Sequence, residues 1–306
     1  MGILVIGATF VDIKGFPFDN YLPTGRNAGR VEYVHGGVAR NVVEDIANVE
    51  LRPTFLSIVD DTPMGDAVVQ KLKNHKVNTD YVLTRPDGMG TWLAVFDNNG
   101  DVAGSISKRP NMYPIAELLE EKGDEIFSQV PSVVLEVGLD KEIIKGTLAL
   151  AQKHNVKTFA LVANMSIAAE RRDLLQQFDC VICNQQEAGI LFLDDYEDKT
   201  PDQMRDILAE RIVAANIPAM VVTMGGDGAV YANLSGEKGV CPARKVQVKD
   251  TTGAGDSFCA GVAIGMTYGK TMAESVEIGT TLAASVITSS ENVCPRFRPE
   301  EFGISI

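Results

Sequence analysis

Short runs of uninterrupted apolar residues recur along this chain, each followed by a stretch with helical spacing, and that alternation leaves few folds open. Gly2-Ile-Leu-Val-Ile-Gly7 is the first. A strand without polar alternation is buried on both faces, the mark of a central parallel strand. Thr54-Phe-Leu-Ser-Ile-Val59, Val133-Val-Leu-Glu-Val137, Thr158-Phe-Ala-Leu-Val162, Cys180-Val-Ile-Cys183 and Ala219-Met-Val-Val-Thr-Met224 read as further strands. Between them, Val42, Val43, Ile46, Ala47 and Val49 keep helical spacing, and Gly65 to Asn74 and Met272 to Ser285 read as helices. The succession predicts an α/β protein, a doubly wound and mostly parallel sheet with helices on both faces. At 306 residues one large domain spanning 1–306 accommodates it.

Several classes of partner are excluded by composition. A net charge of −13 argues against nucleic acid and against an anionic membrane surface. It leaves a phosphate ligand open, because backbone amides and Mg²⁺ offset charge locally. No apolar run approaches the ~20 residues that span a bilayer, and Met-Gly-Ile-Leu lacks the basic start of a signal peptide. The five cysteines, an odd number in mostly apolar surroundings, suit a reducing cytoplasm. Cys180 and Cys183 form a C-x-x-C on a strand, where positions three apart face opposite sides, so both read as core residues.

A second, smaller sheet is expected beside the first. Gly90-Thr-Trp-Leu-Ala-Val-Phe96, Asp97-Asn-Asn-Gly100 and Asp101 to Ile106 make a hairpin with an Asn-Gly turn. With short strands inside Lys14 to Val34, residues of about 14–34 and 90–107 would form a lid. Alternation puts Trp92, Ala94 and Phe96 on one face and Thr91, Leu93 and Val95 on the other. One face of a lone sheet must meet substrate, a partner subunit, or both.

Chemistry concentrates in Lys249-Asp-Thr-Thr-Gly-Ala-Gly-Asp-Ser-Phe-Cys-Ala-Gly261. Val246 and Val248 alternate ahead of it and read as a strand; the small apolar residues after Asp256 read as a buried helix. Gly253, Ala254 and Gly255 leave backbone N–H groups uncovered at a helix start, which is a ready anion site. Asp256 inside that site can accept a proton while the amides hold a charged group, a pairing suited to phosphoryl transfer onto a hydroxyl. The other reading of Asp256 is a helix N-cap.

Three further places look towards the same end of the strands. Gly36 and Gly37 open the helix that carries Asn41 and again expose amides. Asn184 and Glu187 stand three apart on a first helical turn; they suit Mg²⁺ reached through water, and equally form a capping box. Gly225-Gly-Asp-Gly228 after the Thr223 strand suits a nucleotide's phosphates.

Asp250-Thr-Thr-Gly-Ala-Gly-Asp-Ser-Phe258, together with Gly36-Gly-x-x-x-Asn41, resembles the two signatures of the ribokinase-like (PfkB) family of carbohydrate and nucleoside kinases. The resemblance runs along nearly the whole chain. It implies ATP and Mg²⁺ as cofactors and a small sugar or nucleoside as substrate. It carries substrate-binding roles to Asp12, Gly37, Asn41 and Glu136, with Gly36 beside them. Nucleotide roles fall on Asn184, Thr223, Gly225, Gly228 and Thr280, and Mg²⁺ on Glu187 with Asn184. Asn164 is a further ligand-face residue, and in the family the lid often forms the contact of a homodimer. Where many members have an asparagine this chain has Phe10, which leaves a more apolar pocket floor. Gly36-Gly-Val-Ala-Arg-Asn41 looks most like the pseudouridine-kinase branch; Arg40 itself reads as a surface or helix-pairing residue. Many members also bind K⁺ near Asp250–Thr252, but Ser289 to Pro295 departs from the usual glycine-containing loop and leaves that site open. A free-sugar or phosphosugar kinase, or a catalytically silent sugar- or nucleoside-binding regulator, are the alternatives.

Overall fold

Ile3 to Ile6 have no exposed surface, and the strand they form, β1 (Leu4–Ile6), lies well inside the main sheet. The structure, a computed structural model, describes residues 2–162, 169–170 and 172–305. The other strands are β2 (Phe10–Pro17), β3 (Gly29–Gly36), β4 (Thr54–Val59), β5 (Val82–Thr84), β6 (Gly90–Phe96) and β7 (Val102–Lys108). After them come β8 (Ser132–Glu136), β9 (Lys157–Leu161), β10 (Cys180–Asn184), β11 (Ala219–Thr223), β12 (Ala229–Asn233) and β13 (Lys238–Cys241). Among the described residues, nine strands form one sheet in the order β13-β12-β11-β10-β9-β8-β1-β4-β5. Neighbours from β11 to β5 run parallel, and β12 and β13 add an antiparallel edge.

The helices are α1 (Val38–Asn48), α2 (Pro63–Asn74), α3 (Tyr113–Phe127), α4 (Lys141–His154), α5 (Arg172–Leu175), α6 (Gln185–Phe192), α7 (Pro201–Ala215), α8 (Ala254–Thr267) and α9 (Met272–Val286). Leu4, Ile6 and Leu135 pack with Ile115, Ile143 and Leu208 of α3, α4 and α7. Ile3, Val5 and Val134 pack instead with Ile46, Leu72, Val262 and Leu282 of α1, α2, α8 and α9. Each strand therefore has a core on both sides, which is why its sequence lacks polar alternation. Thr62 caps α2 by accepting from the Gly65 amide, with Pro63 in the first turn. Cys180 and Cys183 are buried and free. Among the described residues, no helix is long and apolar enough to cross a membrane.

The smaller sheet has the order β3-β2-β6-β7. At its hairpin turn, Asp97 Oδ1 accepts the amides of Asn99 and Asp101. Pairing places Ile13 beside Tyr33 and Leu93, and Leu93 beside Ile106, in one cross-strand row. That row faces outward, with Tyr33 61%, Leu93 42% and Ile106 70% exposed. The opposite face carries Asp12 next to Trp92 and Lys14 next to Ala94. Phe16 stacks on Phe96 at 4.7 Å, and Trp92 meets the Phe96 ring edge-on at 6.4 Å.

One expected strand is not there. Val246 and Val248 lie in an extended loop, not a strand, and are 38% and 56% exposed. They do not pair with β13, which stays the outer edge of the sheet; alternation permits pairing without requiring it.

Candidate active site

Helices α1 and α8 both begin at glycines, and both need them. Gly37 has φ +96°, and a Cβ there would stand 2.7 Å from the Ala8 carbonyl oxygen. Gly253 has φ +82°, and its Cβ would stand 2.1 Å from the carbonyl oxygen of Asn292. No side chain could take either place without moving backbone. Gly255 has open space where its side chain would be, so the amides of the α8 first turn face a vacant region with the positive end of the helix behind them.

Asp256 occupies the first turn of α8, and Gly253 holds the N-cap position. Its carboxylate does not cap the helix. Instead Asn41 Nδ2 donates to Asp256 Oδ2 at 2.6 Å, a contact across 215 residues of chain. Asn41 lies on α1, whose polar residues Arg40, Asn41, Glu44, Asp45 and Asn48 are all buried. Ser257, next to Asp256, donates through Oγ to Asp45 Oδ2 at 2.7 Å. Asp45 Oδ1 also accepts the Cys294 amide at 2.6 Å, and Asn48 Nδ2 donates to the Cys294 carbonyl at 2.7 Å. Helix α1 thus grips both the start of α8 and the segment around Cys294.

Burial dominates the electrostatics. It pushes Asp256 up to about 7, a rise opposed by the Asn41 amide and the Arg40 charge and reinforced by Glu136 and Asp12. Glu136, on β8, is likewise raised by burial to about 7 while Oε2 accepts the Ala8 amide at 2.9 Å. Burial also raises Asp12, against the Lys14 and Arg40 charges. Asp45 is raised by burial to about 7, against its bonds to Cys294 and Ser257. Carboxyls in an unfolded chain titrate near pH ~4. Between about pH 4 and about pH 7 the folded protein therefore binds more protons, and stability falls as pH rises through that window. The melting midpoint of the ligand-free protein is expected to be higher at about pH 6 than at about pH 8, with a smaller gap in Asp256→Asn. Scanning calorimetry checks this; a midpoint that climbs with pH over that range would contradict it.

A cavity of about 1070 Å³ opens beside this centre. Asn184, Thr223, Gly225 and Gly255 all line it, so one space joins the α8 start to three of the residues expected to hold nucleotide. Gly228 and Thr280 are not among its lining residues. The Thr280 hydroxyl donates to the Val276 carbonyl of its own helix at 2.9 Å. Asn184 and Glu187 do form a capping box: Asn184 Oδ1 accepts the Glu187 amide and Glu187 Oε2 accepts the Asn184 amide, both at 2.8 Å. Burial still holds the Glu187 carboxyl above its usual range, so a nearby cation would be favourable there. Among the described residues, no group of three or more His, Cys, Asp or Glu could hold a metal by itself. A hydrated Mg²⁺ shared with a nucleotide's phosphates fits that donor set better than a closed protein cage.

Other expectations fare differently. Arg40 is not a surface residue: it is 0% exposed, although it does pair along α1 with Glu44. Helix α1 is covered on this side by α8 and by the Cys294 segment, which bond to its Asp45. His154 sits against Asp124 at the end of α4, but His75 is held inward, its Nδ1 at 2.7 Å from Asn48 Oδ1. Lys108 pairs with Asp87 on the surface. Arg109 is exposed, yet its charge reaches Glu136. Asn164 lies outside the described residues.

A mostly parallel sheet with a small sheet beside it, and an aspartate in the first turn of a glycine-led helix, define the ribokinase-like class of kinases. Residues 2–294 match the model of the pfkB family of carbohydrate kinases, and the chain belongs to that family. It is 35% identical over 292 residues to the guanosine-inosine kinase of Exiguobacterium acetylicum, covering 95% of both chains. It is 27% identical to the pseudouridine kinase of Escherichia coli (strain K12), over 90% of this chain and 86% of that one. In fold it resembles the ribokinase of Arabidopsis thaliana solved with ribose and ATP, with a TM-score of 0.86, 20% identity and 98% coverage of each chain. The chain is a phosphotransferase acting on an alcohol group of a sugar or nucleoside.

Proposed function

We propose that this kinase transfers the γ-phosphoryl group of ATP to the hydroxymethyl oxygen of a nucleoside, a purine nucleoside such as guanosine or inosine ahead of pseudouridine. The observation that carries the reading is the half-buried Asp256 carboxylate, bonded to Asn41 and set in the α8 first turn beside the cavity. The substrate oxygen attacks phosphorus, the bond from phosphorus to the β–γ bridging oxygen breaks, and ADP leaves. Asp256 takes the proton of the attacking hydroxyl. A base titrating near the working pH is well matched to that step, and burial raises Asp256 to about 7. Amides of Gly253 to Asp256 would hold charge on the transferring group. Asp12, Asn41 and Glu136, with the backbone of Gly36 and Gly37, would hold the substrate's hydroxyls. Thr223, Gly225 and Asn184 would hold the nucleotide. Glu187, with Asn184, would hold hydrated Mg²⁺, which supplies charge neutralisation of the phosphates.

Two features favour a nucleoside over a free sugar. Trp92 shares the sheet face of Asp12 as its direct cross-strand neighbour, and an aromatic surface beside a hydroxyl-binding carboxylate suits a flat base. Phe10 lies on Gly90 where the family often has asparagine, so the floor there is apolar. The purine preference rests on the 35% identity to the guanosine-inosine kinase against 27% to the pseudouridine kinase. Pseudouridine remains the second reading because of Gly36-Gly-Val-Ala-Arg-Asn41. A coupled ADP-release assay over guanosine, inosine, pseudouridine, uridine, adenosine, ribose, fructose and fructose phosphates tests both. Guanosine or inosine with the highest kcat/KM supports the first reading, and pseudouridine the second. A free sugar or sugar phosphate as best substrate overturns the nucleoside assignment, and turnover of none of them favours a silent binding protein.

A further inference from the structure

Arg40 is wholly buried, and its guanidinium makes four hydrogen bonds without lining the cavity. It donates to Glu44, to the carbonyls of His35 and Gly36, and to the side-chain oxygen of its neighbour Asn41. Asn41 in turn gives its side-chain nitrogen to Asp256 at 2.6 Å. We propose that Arg40 is a positioning residue for phosphoryl transfer, acting on Asp256 through the orientation of the Asn41 amide. The proposal rests on the reading of Asp256 as the base.

An asparagine amide has two ends of opposite character, and rotation by half a turn exchanges donor for acceptor. While Asp256 is ionised it demands the donor end. Once it has taken the substrate's proton it could equally donate to an amide oxygen, and an unrestrained Asn41 could turn to accept. That turn would stabilise the protonated acid and hold back the next cycle. Arg40 removes the option, because its N–H already occupies the Asn41 oxygen and a turned amide would set two donors against each other. The amide then donates to Asp256 in both protonation states, which favours the carboxylate. Its charge works in the same direction. The other groups felt by Asp256 are carboxyls that oppose this: Glu136 on β8 and Asp12 on β2, with Asp45 of α1 coupled to it as well. Arg40 thus sets a positive charge against the carboxyls that surround Asp256.

A purely structural account would make Arg40 the neutraliser of buried Glu44. Glu44, however, also contacts Lys71 Nζ through Oε1 at 2.9 Å, with His75 Nε2 at 3.8 Å. Its charge keeps a partner when Arg40 is gone, and Lys71 has no bond to Asn41 to replace what Arg40 does.

The test compares Arg40→Met/Glu44→Gln with Glu44→Gln, so that no buried carboxylate loses its cation. The pH profile of kcat is measured on the full chain with its best substrate, alongside the KM for ATP and the melting midpoint. Expected is a fall of about tenfold in kcat on the acid side, the loss of one charge-assisted hydrogen bond, with the acidic limb displaced to higher pH and the KM for ATP unchanged. The same kcat and limb as Glu44→Gln, or a fall at every pH without displacement of the limb, overturns the proposal. If the double variant does not fold, Arg40→Lys decides. It retains the charge but not the fork: a lower kcat with an unmoved melting midpoint supports orientation of Asn41, and parent-like kcat overturns it. Asp256→Asn is assayed in parallel. If that variant turns over normally, the base assignment itself has failed; if it is inert while the Arg40 variants match the parent, only the Arg40 proposal has.

Discussion

Asp256→Asn is expected to lower kcat by ~10² to 10⁴-fold, the range a positioned general base contributes, while ATP binds as in the parent. The substitution keeps shape and keeps an oxygen for Asn41 Nδ2 to donate to, but that oxygen cannot take up the hydroxyl's proton at working pH. It also removes a carboxyl that desolvation raises to about 7, so the variant folds at least as well above that pH. Steady-state turnover and equilibrium titration with a non-hydrolysable ATP analogue separate the two quantities. Turnover at the parent rate would take Asp256 out of the mechanism, and a matching loss of nucleotide affinity would make its role one of shaping the cavity.

The second large effect is expected at Gly253. With φ +82° and the Asn292 carbonyl oxygen 2.1 Å from a Cβ position, Gly253→Ala must both accept a left-handed conformation and displace the facing backbone. The first alone costs about 1–2 kcal/mol. The displacement acts on the residue that N-caps α8 and whose carbonyl receives the Ser257 amide, so the Asp256 turn moves with it. A stability loss of about 1–3 kcal/mol in urea titration is expected, with kcat down by at least about tenfold because small misplacements of reacting groups are expensive. Parent-like stability and turnover would show that neither the turn nor the contact matters. Gly255→Ala is the natural comparison: its side chain would meet nothing within 4 Å, so folding should tolerate it and any loss should fall on the phosphoryl side.

How much could be read beforehand follows from what each signal depends on. β1 and β8 were legible because burial on both faces favours an unbroken apolar run, Leu4-Val-Ile6 and Val133-Val-Leu135, and that pressure acts residue by residue. The hairpin of β6 and β7 was legible through alternation and the Asn99-Gly100 turn, both local properties. Val246 and Val248 misled for the complementary reason. Alternation states that a segment could pair, and only the rest of the sheet decides whether an edge is free. Arg40, read as a surface or helix-pairing residue, does pair along its helix but is buried. An Arg and a Glu four apart normally decorate a solvated face, and nothing near residue 40 announces that a helix more than two hundred positions later will cover it. The sole hint was that Asn41, Asp45 and Asn48 continue the polar character around a helix whose apolar residues already occupy one side. At Asn184 and Glu187 two readings competed, and the capping box that the structure contains leaves the cation role to the remaining oxygen of a desolvated carboxyl.

The bond between Asn41 and Asp256 joins an early segment to a late one. During synthesis the first partner leaves the ribosome long before the second exists, so a nascent chain carries the early half of the proposed reactive centre with nothing to activate. Competence arrives only when the last quarter of the polypeptide has docked, and pairings of such long sequence separation are slow to form. Recovery of turnover after dilution from denaturant should accordingly trail the recovery of secondary structure, and fragments ending before α8 should be inert as enzymes however well their strands assemble.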